Sequence, residues 1–342
     1  MTAQAAPVRP FPEPQWDEAL RLLAGARQVV LACHVGPDGD ALGSMLALGL
    51  ALRSRGTEVF CSWGEPELCV PTSLALVPGQ ELLVPPAGLP AAPELLVTLD
   101  TGSLDRLGLI QAQAAAATDI LVVDHHASNT GFGTVHLVDV AAAATAVLVA
   151  ELVDRLGVPL DREIATGVYV GLVTDTGSFK YVATTPAVHR LAARLLETGL
   201  RHDLLSRALY DTNSFGYVQL LGAGLSRVRL DVAAARGLGL VWTWTTPEDL
   251  HRYGVDVSQI EGMIDVVRTA EEAEVALVAK GDVNGTIKVS MRSKGQIDVG
   301  AICVGLGGGG HVYAAGFTSY DDVPATVAKV TAALADAPHL SP

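Results

Sequence analysis

One short segment concentrates side chains that could bind a metal ion or move a proton. The stretch "ACHVGPDGDALGS", residues 32–44, carries His34, Asp38 and Asp40 directly after the apolar run "QVVL". Further acids and imidazoles follow two other apolar runs and the end of a helical pattern: Asp100, Asp124, His125, His126 and Asp175. Carboxylate and imidazole groups are the ligands of hard or borderline divalent cations. The pattern therefore predicts metal-dependent chemistry.

The first half of the chain alternates short β-branched runs with longer Ala/Leu patterns, which is typical of a parallel sheet covered by helices. The predicted strands are 28–33, 58–63, 94–99, 119–123 and 134–138, and the predicted helices lie near 41–55, 142–156, 161–173 and 186–198. In such a sheet, groups just beyond the carboxyl ends of the strands line one crevice. We therefore expect the acids and histidines to meet there.

So many carboxylates cannot lie together without positive charge, because burying like charges is costly and forces protonation. Asp and His without thiolate favour Mn²⁺ ahead of Mg²⁺ or Co²⁺ and disfavour a structural zinc site. Two ions about 3.5 to 4 Å apart are the usual arrangement for hydrolysis of phosphate esters. A single Asp in "GPDGD" would more simply be a turn or helix-cap residue, so the prediction depends on the whole set.

The second half is predicted to form a smaller α/β domain. It holds strands at 238–244, 274–280 and 286–292 and an amphipathic helix with Ile260, Met263, Ile264 and Val267 in its core face. The run "GLGGGGH" offers backbone N–H groups and a histidine to an anion, although a glycine run is often a flexible loop. The nearby "SMRSK" adds an arginine that can bind a phosphate through two hydrogen bonds. The candidate substrate-binding residues are Ser290, Arg292, Ser293, Lys294, Gly308, Gly309, Gly310 and His311.

Composition limits the partners of the protein. The formal net charge of −14 argues against a protein that coats long nucleic acid. The N-terminal segment has no apolar run typical of a signal peptide, and no apolar stretch of membrane-spanning length occurs. The four cysteines show no C-x-x-C spacing and are expected to be reduced. We expect a cytoplasmic protein with two domains, at 1–200 and 217–342, joined by a linker at 201–216.

The ordered motifs resemble those of the DHH phosphoesterase superfamily. "HVGPDGDALGS", "LDTGS", "VVDHHASN" and "TDTGSF" are similar to its four N-terminal motifs, and "SMRSK" with "GGGGHVYAAG" resembles its DHHA1 accessory domain. The resemblance covers nearly the whole chain and is strongest to bacterial nano-RNA and pAp phosphodiesterases, including those acting on cyclic di-AMP or pApA. It implies an active site in a cleft between the two domains, and a homodimer.

The resemblance also implies residue roles. His34 and Asp38 would bind one metal, Asp40, His125 and Asp175 the other, and Asp100 would bridge the two. Asp124 would orient a ligand imidazole, and His126 would contact the substrate phosphate or donate a proton. The family commonly has Ser-Thr where this chain has Ala144-Thr145, so one supporting hydroxyl is lost. Four neighbours of the motifs are left as substrate contacts or loop supports: Ser128, Asn129, Ser178 and Phe179.

The favoured activity is hydrolysis of short nucleotides (nano-RNA, pApA, pAp and cyclic di-AMP) to mononucleotides by a water that two metals activate. An inorganic pyrophosphatase of the same superfamily is the main enzymatic alternative, but it lacks a "GGGGH" end. A longer-strand exonuclease would carry further nucleic-acid-binding modules. A nucleotide sensor without turnover is the alternative from another class, and the complete ligand set disfavours it. The sequence does not rank the substrates.

Overall fold

A computed structural model describes residues 13–340 of the chain, which form two compact units dividing between Thr212 and Asn213. The N-terminal segment, for which no signal peptide is expected, lies mostly outside the described residues. The segment 201–216, predicted as a linker, contains a helix whose Leu205 packs in the core of the first unit. The division therefore falls near the end of that segment. None of the helices in the described range has the length and apolarity needed to cross a bilayer.

The first unit is built on a five-stranded parallel sheet, as predicted. Its strands are β1 (Gln28–Cys33), β2 (Glu58–Trp63), β3 (Leu95–Leu99), β4 (Asp119–Asp124) and β5 (Val135–Val138), in the spatial order β2-β1-β3-β4-β5. Its helices are α1 (Glu13–Gly25), α2 (Gly39–Ser54), α3 (Gln111–Ala116), α4 (Thr145–Arg155), α5 (Arg162–Asp175), α6 (Pro186–Glu197) and α7 (His202–Tyr210). Short 3₁₀ helices lie at Thr72–Leu74, Gln80–Leu82, Pro86–Gly88 and Leu104–Ile110.

Both faces of this sheet are covered, which explains why β1 and β3 read as continuous apolar runs. Helices α1, α2, α4 and α5 pack on one face, and the segment 104–116 packs on the other. Helix α2 lies deepest, with every residue from Gly39 to Leu52 buried. Its backbone nearly touches α5, because a Cβ on Gly43 would lie 2.4 Å from the Gly167 carbonyl oxygen. A second close contact, between Gly39 and Thr174, fixes the start of α2 beside the carboxyl end of α5, where Asp175 lies.

The second unit contains a six-stranded mixed sheet. Its strands are β6 (Arg229–Asp231), β7 (Leu240–Thr245), β8 (Val275–Gly281), β9 (Ile287–Ser293), β10 (Gly309–His311) and β11 (Ala314–Ser319), in the order β10-β11-β9-β8-β7-β6. Its helices are α8 (Phe215–Leu225), α9 (Ala234–Gly237), α10 (Pro247–Tyr253), α11 (Met263–Val267), α12 (Val299–Gly305) and α13 (Val323–Asp336). The β7–β8 pair is parallel and the other strand pairs are antiparallel.

The amphipathic helix predicted across residues 260–267 is interrupted. A 3₁₀ turn, Val257–Ile260, precedes α11, and Glu261 and Gly262 separate the two. Glycine has low helix propensity, which favours a break at this point. All four core residues predicted for the helix are buried nevertheless, so its apolar side packs as expected while the backbone does not form one helix.

Candidate metal centre

Strand and helix ends bring the predicted ligands together in the first unit. Three groups of acids and imidazoles have possible ligand atoms within 4.8 Å of one another. They are His34, Asp38 and Asp100; Asp40, His125 and Asp175; and Asp100, Asp124 and His126. Strands β1, β3 and β4 end at these residues, and α5 ends at Asp175. The prediction that these side chains meet at one edge of the sheet is therefore confirmed by the geometry.

Asp100 lies at the centre of the cluster and is almost completely buried. Its Oδ2 is 3.7 Å from His34 Nε2, and its Oδ1 is 3.5 Å from His125 Nε2. The residue has a left-handed backbone, with φ of 54°, which costs a non-glycine residue about 1–3 kcal/mol. The hydrogen bond from its N–H to Val123 O, 3.0 Å long, stabilises this conformation. The strained backbone thus holds a carboxylate between two histidines.

Asp38 begins helix α2 as well as facing the cluster. Its Oδ1 accepts hydrogen bonds from the N–H groups of Asp40 and Ala41, both 3.0 Å. Its Oδ2 lies 3.9 Å from His34 Nε2. His34 is oriented by its other ring nitrogen, since Nδ1 lies 2.9 Å from the Val35 carbonyl oxygen. A protonated Nδ1 directs Nε2 to the carboxylates as a possible metal ligand. Helix capping and ligation are therefore compatible at Asp38.

Asp40 is fully buried and caps a different helix. Its carboxylate accepts from the N–H groups of Thr145, 2.5 Å, and Ala146, 2.9 Å, at the start of α4. It also accepts from the Ser44 hydroxyl at 2.9 Å. Ala144, at the position where the family commonly has Ser, supplies no side-chain cap. Asp40 therefore replaces the N-cap side chain of α4, and the helix dipole stabilises its charge.

Thr145 contacts the central carboxylate directly. Its hydroxyl donates to Asp100 Oδ1 at 2.9 Å, in a fully buried environment. Position 144 therefore lacks a side-chain hydroxyl, but the Thr145 hydroxyl at the next position is present and binds Asp100. Sequence reasoning noted Thr145 only as the neighbour of the lost hydroxyl and did not identify this role.

The Asp124 carboxylate contacts the imidazole of His126, to which the resemblance assigns a role other than metal ligand. The Asp124 carboxylate lies 2.7 Å from Nδ1 of His126, whereas Nδ1 of the candidate ligand His125 lies 3.2 Å from the Ala142 carbonyl oxygen. The 2.6 Å hydrogen bond from Asn129 Nδ2 holds the other Asp124 oxygen. Side chains of adjacent residues at the end of a strand point in different directions, so the Asp124 carboxylate does not form the same contact with the rings of His125 and His126. Asp124 and Asn129 therefore orient His126.

Other residues near the motifs support the site from outside the cluster. Asn129 also accepts from Gly131 N–H at 2.8 Å, so it stabilises the loop after β4. Ser178 and Phe179 follow Asp175 with left-handed φ values of 57° and 64°. The Phe179 ring stacks on His189 with centroids 5.2 Å apart. Ser128 is exposed. Phe179 and Asn129 thus make structural contacts in this unit.

Arg106 was not predicted and lies beside a candidate ligand. Its Nη2 is 3.2 Å from Nδ1 of His34, and its carbonyl oxygen accepts from Val35 N–H at 3.0 Å. The side chain is otherwise exposed. The sequence offered one signal for this contact: Arg106 lies six residues after Asp100, in the loop that follows it.

The electrostatics of the cluster call for positive charge. Burial, reinforced by the neighbouring carboxylates, raises the pKa values of Asp40 and Asp100 well above the ordinary range. Burial opposes protonation of His125, but its hydrogen bond to Asp175 and the charges of Asp100 and Asp40 raise its pKa to about 11. The pKa of Asp124 is lowered, since hydrogen bonds from His126 and Asn129 outweigh its burial. Protons or cations must therefore balance the carboxylates.

The donor set fits divalent cations. The clustered ligand atoms are carboxylate oxygens and imidazole nitrogens, the combination that Mn²⁺, Mg²⁺ and Co²⁺ accept. Asp100 belongs to the group with His34 and Asp38, and its other oxygen faces His125 of the group with Asp40 and Asp175. That arrangement suits two ions joined by one carboxylate.

In the second unit, several of the predicted substrate-binding residues lie on the two strands that flank β11. Arg292 on β9 and His311 on β10 both pair with Ala314 of β11, so their side chains project from the same face. Arg292 Nε is buried and has no hydrogen-bond partner within the described part of the chain. Ser290, two residues before Arg292, lies on that face as well.

Two other candidates make contacts within the unit. The Ser293 hydroxyl donates to Glu274 at 2.7 Å, and the Lys294 ammonium donates to the Ala270 carbonyl. These contacts hold the end of β9 against the loop between α11 and β8. Ser293 and Lys294 thus have structural partners, which sequence reasoning did not anticipate.

The glycine run is structured rather than a flexible loop. The N–H groups of Gly307 and Gly308 bond back to Val304 and Cys303 and end α12 in a Schellman motif. Gly309 and Gly310 then form the edge strand β10. A Cβ on Gly308 would lie 2.1 Å from the Gly316 carbonyl oxygen, so glycine is required there for close packing. The backbone of β10 stays exposed at the sheet edge.

Comparison with known proteins agrees with this fold. The N-terminal domain of the DHH family matches residues 28–172, and the DHHA1 domain matches residues 243–337. The chain belongs to the DHH family of phosphoesterases, and the predicted resemblance is confirmed.

Several curated relatives carry the same name. The "Bifunctional oligoribonuclease and PAP phosphatase NrnA" of Thermus thermophilus is 36% identical over 314 residues, covering 90% of each chain. The protein of that name from Bacillus subtilis is 25% identical over 311 residues, covering 89% of this chain and 93% of its own. A solved exopolyphosphatase-related protein from Bacteroides fragilis is 24% identical, covers 94% of this chain and 96% of its own, and has a TM-score of 0.85. That structure shares the fold.

Proposed function

We propose that the protein hydrolyses short nucleotides, including nano-RNA, pApA and pAp, to mononucleotides in a metal-dependent reaction. The observation that carries the proposal is the buried Asp100 carboxylate between two sets of ligand atoms, one from His34 and Asp38 and one from Asp40, His125 and Asp175. The names of the two curated relatives support the substrate class.

The proposed cofactors are two divalent cations, with Mn²⁺ favoured over Mg²⁺ and Co²⁺. When bound, they would neutralise the carboxylates, activate water and stabilise charge on the phosphate oxygens. The chain itself holds the ligands in place before binding. Asp40 and Asp38 are fixed by helix N-terminal N–H groups, and Asp100 by the Thr145 hydroxyl. Such preorganisation lowers the cost of placing charge in the transition state.

His126 is the proposed proton donor to the leaving oxygen. Its Nδ1 faces Asp124, so the Nε2 edge is directed away from that carboxylate. The side chain is partly exposed, unlike Asp124, which is completely buried. A buried carboxylate that holds one edge of an imidazole orients the other edge for proton transfer.

The second unit is proposed to bind the phosphate at one end of the substrate. Arg292 carries a buried Nε without a partner among the described residues, and Ser290 lies on the same face of the sheet. His311 and the exposed backbone of Gly309 and Gly310 extend this surface across β11 to the sheet edge. Arginine is well suited to phosphate because it presents several donors in a fixed plane.

The deciding experiment measures mononucleotide release from pApA, pAp, cyclic di-AMP and a five-nucleotide RNA, and phosphate release from pyrophosphate, with Mn²⁺, Mg²⁺ or Co²⁺ supplied separately. Hydrolysis of pApA and short RNA, and its loss in the double variant Asp124→Ala/His125→Ala, is the expected result. Release of phosphate from pyrophosphate alone would instead assign a pyrophosphatase. Binding of nucleotides without turnover would assign a sensor.

The proposal extends to the setting of the protein. A net charge of −14 supports short substrates rather than long DNA. We further propose a cytoplasmic homodimer, as the family resemblance implies. Sedimentation velocity of the full chain tests the dimer, and gel-shift titration with a duplex of about 50 base pairs tests the exclusion of long DNA.

A further inference from the structure

Positive charge is concentrated on one face of the second sheet. Three of the five lysines in the chain lie between residues 280 and 294. Lys280 on β8 is directly opposite Lys288 on β9, and Ser290 and Arg292 follow at two-residue spacing. Because side chains alternate along a strand, all four project from the same face. In a chain of net charge −14, this face is a local exception.

Lys280 is buried, and its single carboxylate partner among the described residues is Glu261, which also contacts Ser290. Its side chain is 3% exposed, and its ammonium forms an ion pair with one carboxylate oxygen of Glu261. The other carboxylate oxygen lies 3.4 Å from the Ser290 hydroxyl. Burial lowers the pKa of Lys280; Glu261 opposes that shift, and the charges of Arg292 and Lys288 add to it. A buried ammonium near two other cations requires an anion.

Glu261 can leave this position without a change of backbone. Its side chain is 62% exposed, whereas its neighbours Ile260 and Met263 are completely buried in the core of the unit. The backbone is therefore fixed and the carboxylate lies at the surface. Rotation of an exposed side chain takes nanoseconds or less, so exchange of the Glu261 carboxylate for another anion needs no refolding.

We propose that Lys280 and Ser290 form an anion site beside Arg292, that the Glu261 carboxylate fills this site as an internal competitor, and that a substrate phosphomonoester displaces it. The inference rests on the proposed function and adds to it two residues, Lys280 and Glu261, and the competition between a carboxylate and the substrate phosphate. A phosphomonoester carries up to two negative charges and three acceptor oxygens. One carboxylate has two oxygens, which contact Lys280 and Ser290, so a phosphate can also satisfy the buried Arg292 Nε.

The test is calorimetric titration of the full chain with 5′-AMP and with adenosine, in EDTA so that no divalent cation contributes. Glu261→Gln is expected to bind 5′-AMP about 3- to 10-fold more tightly than the wild type. Lys280→Met is expected to bind it at least about 10-fold more weakly. Adenosine, which has no phosphate, should respond to neither change.

Matched controls are Glu271→Gln and Lys329→Met, which make the same charge changes at exposed positions. Both should bind 5′-AMP like the wild type. Unchanged or weaker binding by Glu261→Gln overturns the inference, and so does absence of measurable 5′-AMP binding by the wild type and Glu261→Gln. Should Lys280→Met fail to fold, Glu261→Gln decides the question alone, because its side chain is exposed.

Turnover separates this inference from the proposed function. In Mn²⁺, Glu261→Gln should lower KM for pApA with kcat unchanged. If the wild type hydrolyses none of the nucleotides but the binding changes appear, the proposed function fails and the anion site stands. If hydrolysis is normal and Glu261→Gln binds 5′-AMP like the wild type, the anion site fails and the function stands.

Discussion

The two units of the protein treat buried charge in opposite ways. In the first unit, Asp40 and Asp100 lie among other carboxylates, and burial raises their pKa values. In the second unit, Asp249 is paired with Arg227 and Lys280 with Glu261. The first unit is electrostatically incomplete until cations bind, whereas the second is balanced by its own side chains. This difference supports the proposals that the first unit carries out metal chemistry and that the second unit binds anions.

The strongest challenge to this comparison is Asp100→Asn. Asparagine keeps the shape and tolerates the left-handed backbone, but it removes the charge shared by His34 and His125. We expect turnover of pApA to fall by at least about 10³-fold, which corresponds to about 4 kcal/mol. Asp105→Asn, an exposed acid in the same loop, is the control and should retain activity. An active Asp100→Asn enzyme would show that the central carboxylate is not needed.

Cation binding should stabilise one unit and not the other. Hydrogen exchange measured by mass spectrometry, with Mn²⁺ and then with EDTA, reports on each segment separately. At a concentration of about 100 times Kd, a ligand adds about 2.7 kcal/mol to the stability of the state that binds it. Exchange at residues 34–45 and 98–101 should slow by up to about 100-fold in Mn²⁺, while residues 275–293 remain unchanged. Equal protection of the first-unit segments and of residues 275–293 would contradict the comparison.

The balanced charges of the second unit predict a pH-dependent effect. Hydrogen bonds from Arg227 overcome burial and lower the pKa of Asp249 to about 2, below the ordinary value of about 3.9. Its stabilisation is therefore present above about pH 4 and is lost as the pH falls through about 2. We expect Asp249→Asn to reduce the free energy of unfolding at pH 7 by about 2 kcal/mol.

Urea denaturation followed by tryptophan fluorescence measures that change. The neighbouring exposed acid gives the matched control, Glu248→Gln, which should leave stability nearly unchanged. The difference between Asp249→Asn and the wild type should shrink as the pH approaches 2. A difference that persists at low pH would mean that packing, rather than the charge of Asp249, stabilises helix α10.

A single hydroxyl group in the first unit gives the most local test of the comparison. Thr145→Val keeps the shape of the side chain and removes the hydrogen bond to Asp100. A hydrogen bond to a charged group contributes about 1.5–3 kcal/mol, so kcat should fall about 10-fold or more. Thr145→Ser should restore most of it. If valine and serine variants behave alike, the hydroxyl does not position Asp100.

The sequence predicted the fold and the cluster because both depend on local order. The five apolar runs of the first sheet matched strands β1 to β5 with their ends shifted by at most one residue, and strand ends of a parallel sheet necessarily meet. Contacts between segments that are distant in sequence were harder to predict. The Asp40 cap of α4 joins residues 105 positions apart, and no pattern near either residue announces it.

The choice between two adjacent imidazoles was also beyond sequence reasoning. Whether Asp124 holds His125 or His126 depends on side-chain directions at the end of β4, which residue types do not determine. The position of Lys280 was partly predictable from the sequence, since its spacing to Ser290 and Arg292 suits a β-hairpin that places all three on one face. Glu261 was not, because it reaches the sheet from a turn that the sequence analysis assigned to a continuous helix.

The strained backbone of Asp100 also bears on how this protein could decay. If selection for catalysis ended, a glycine at position 100 would relieve the left-handed strain, so selection for stability would favour replacement of Asp100. Asp40 would persist, because helix α4 needs its carboxylate as a cap. In a descendant genome, an intact Asp40 would therefore report only that the domain still folds, whereas an intact Asp100 would report that the enzyme is still in use.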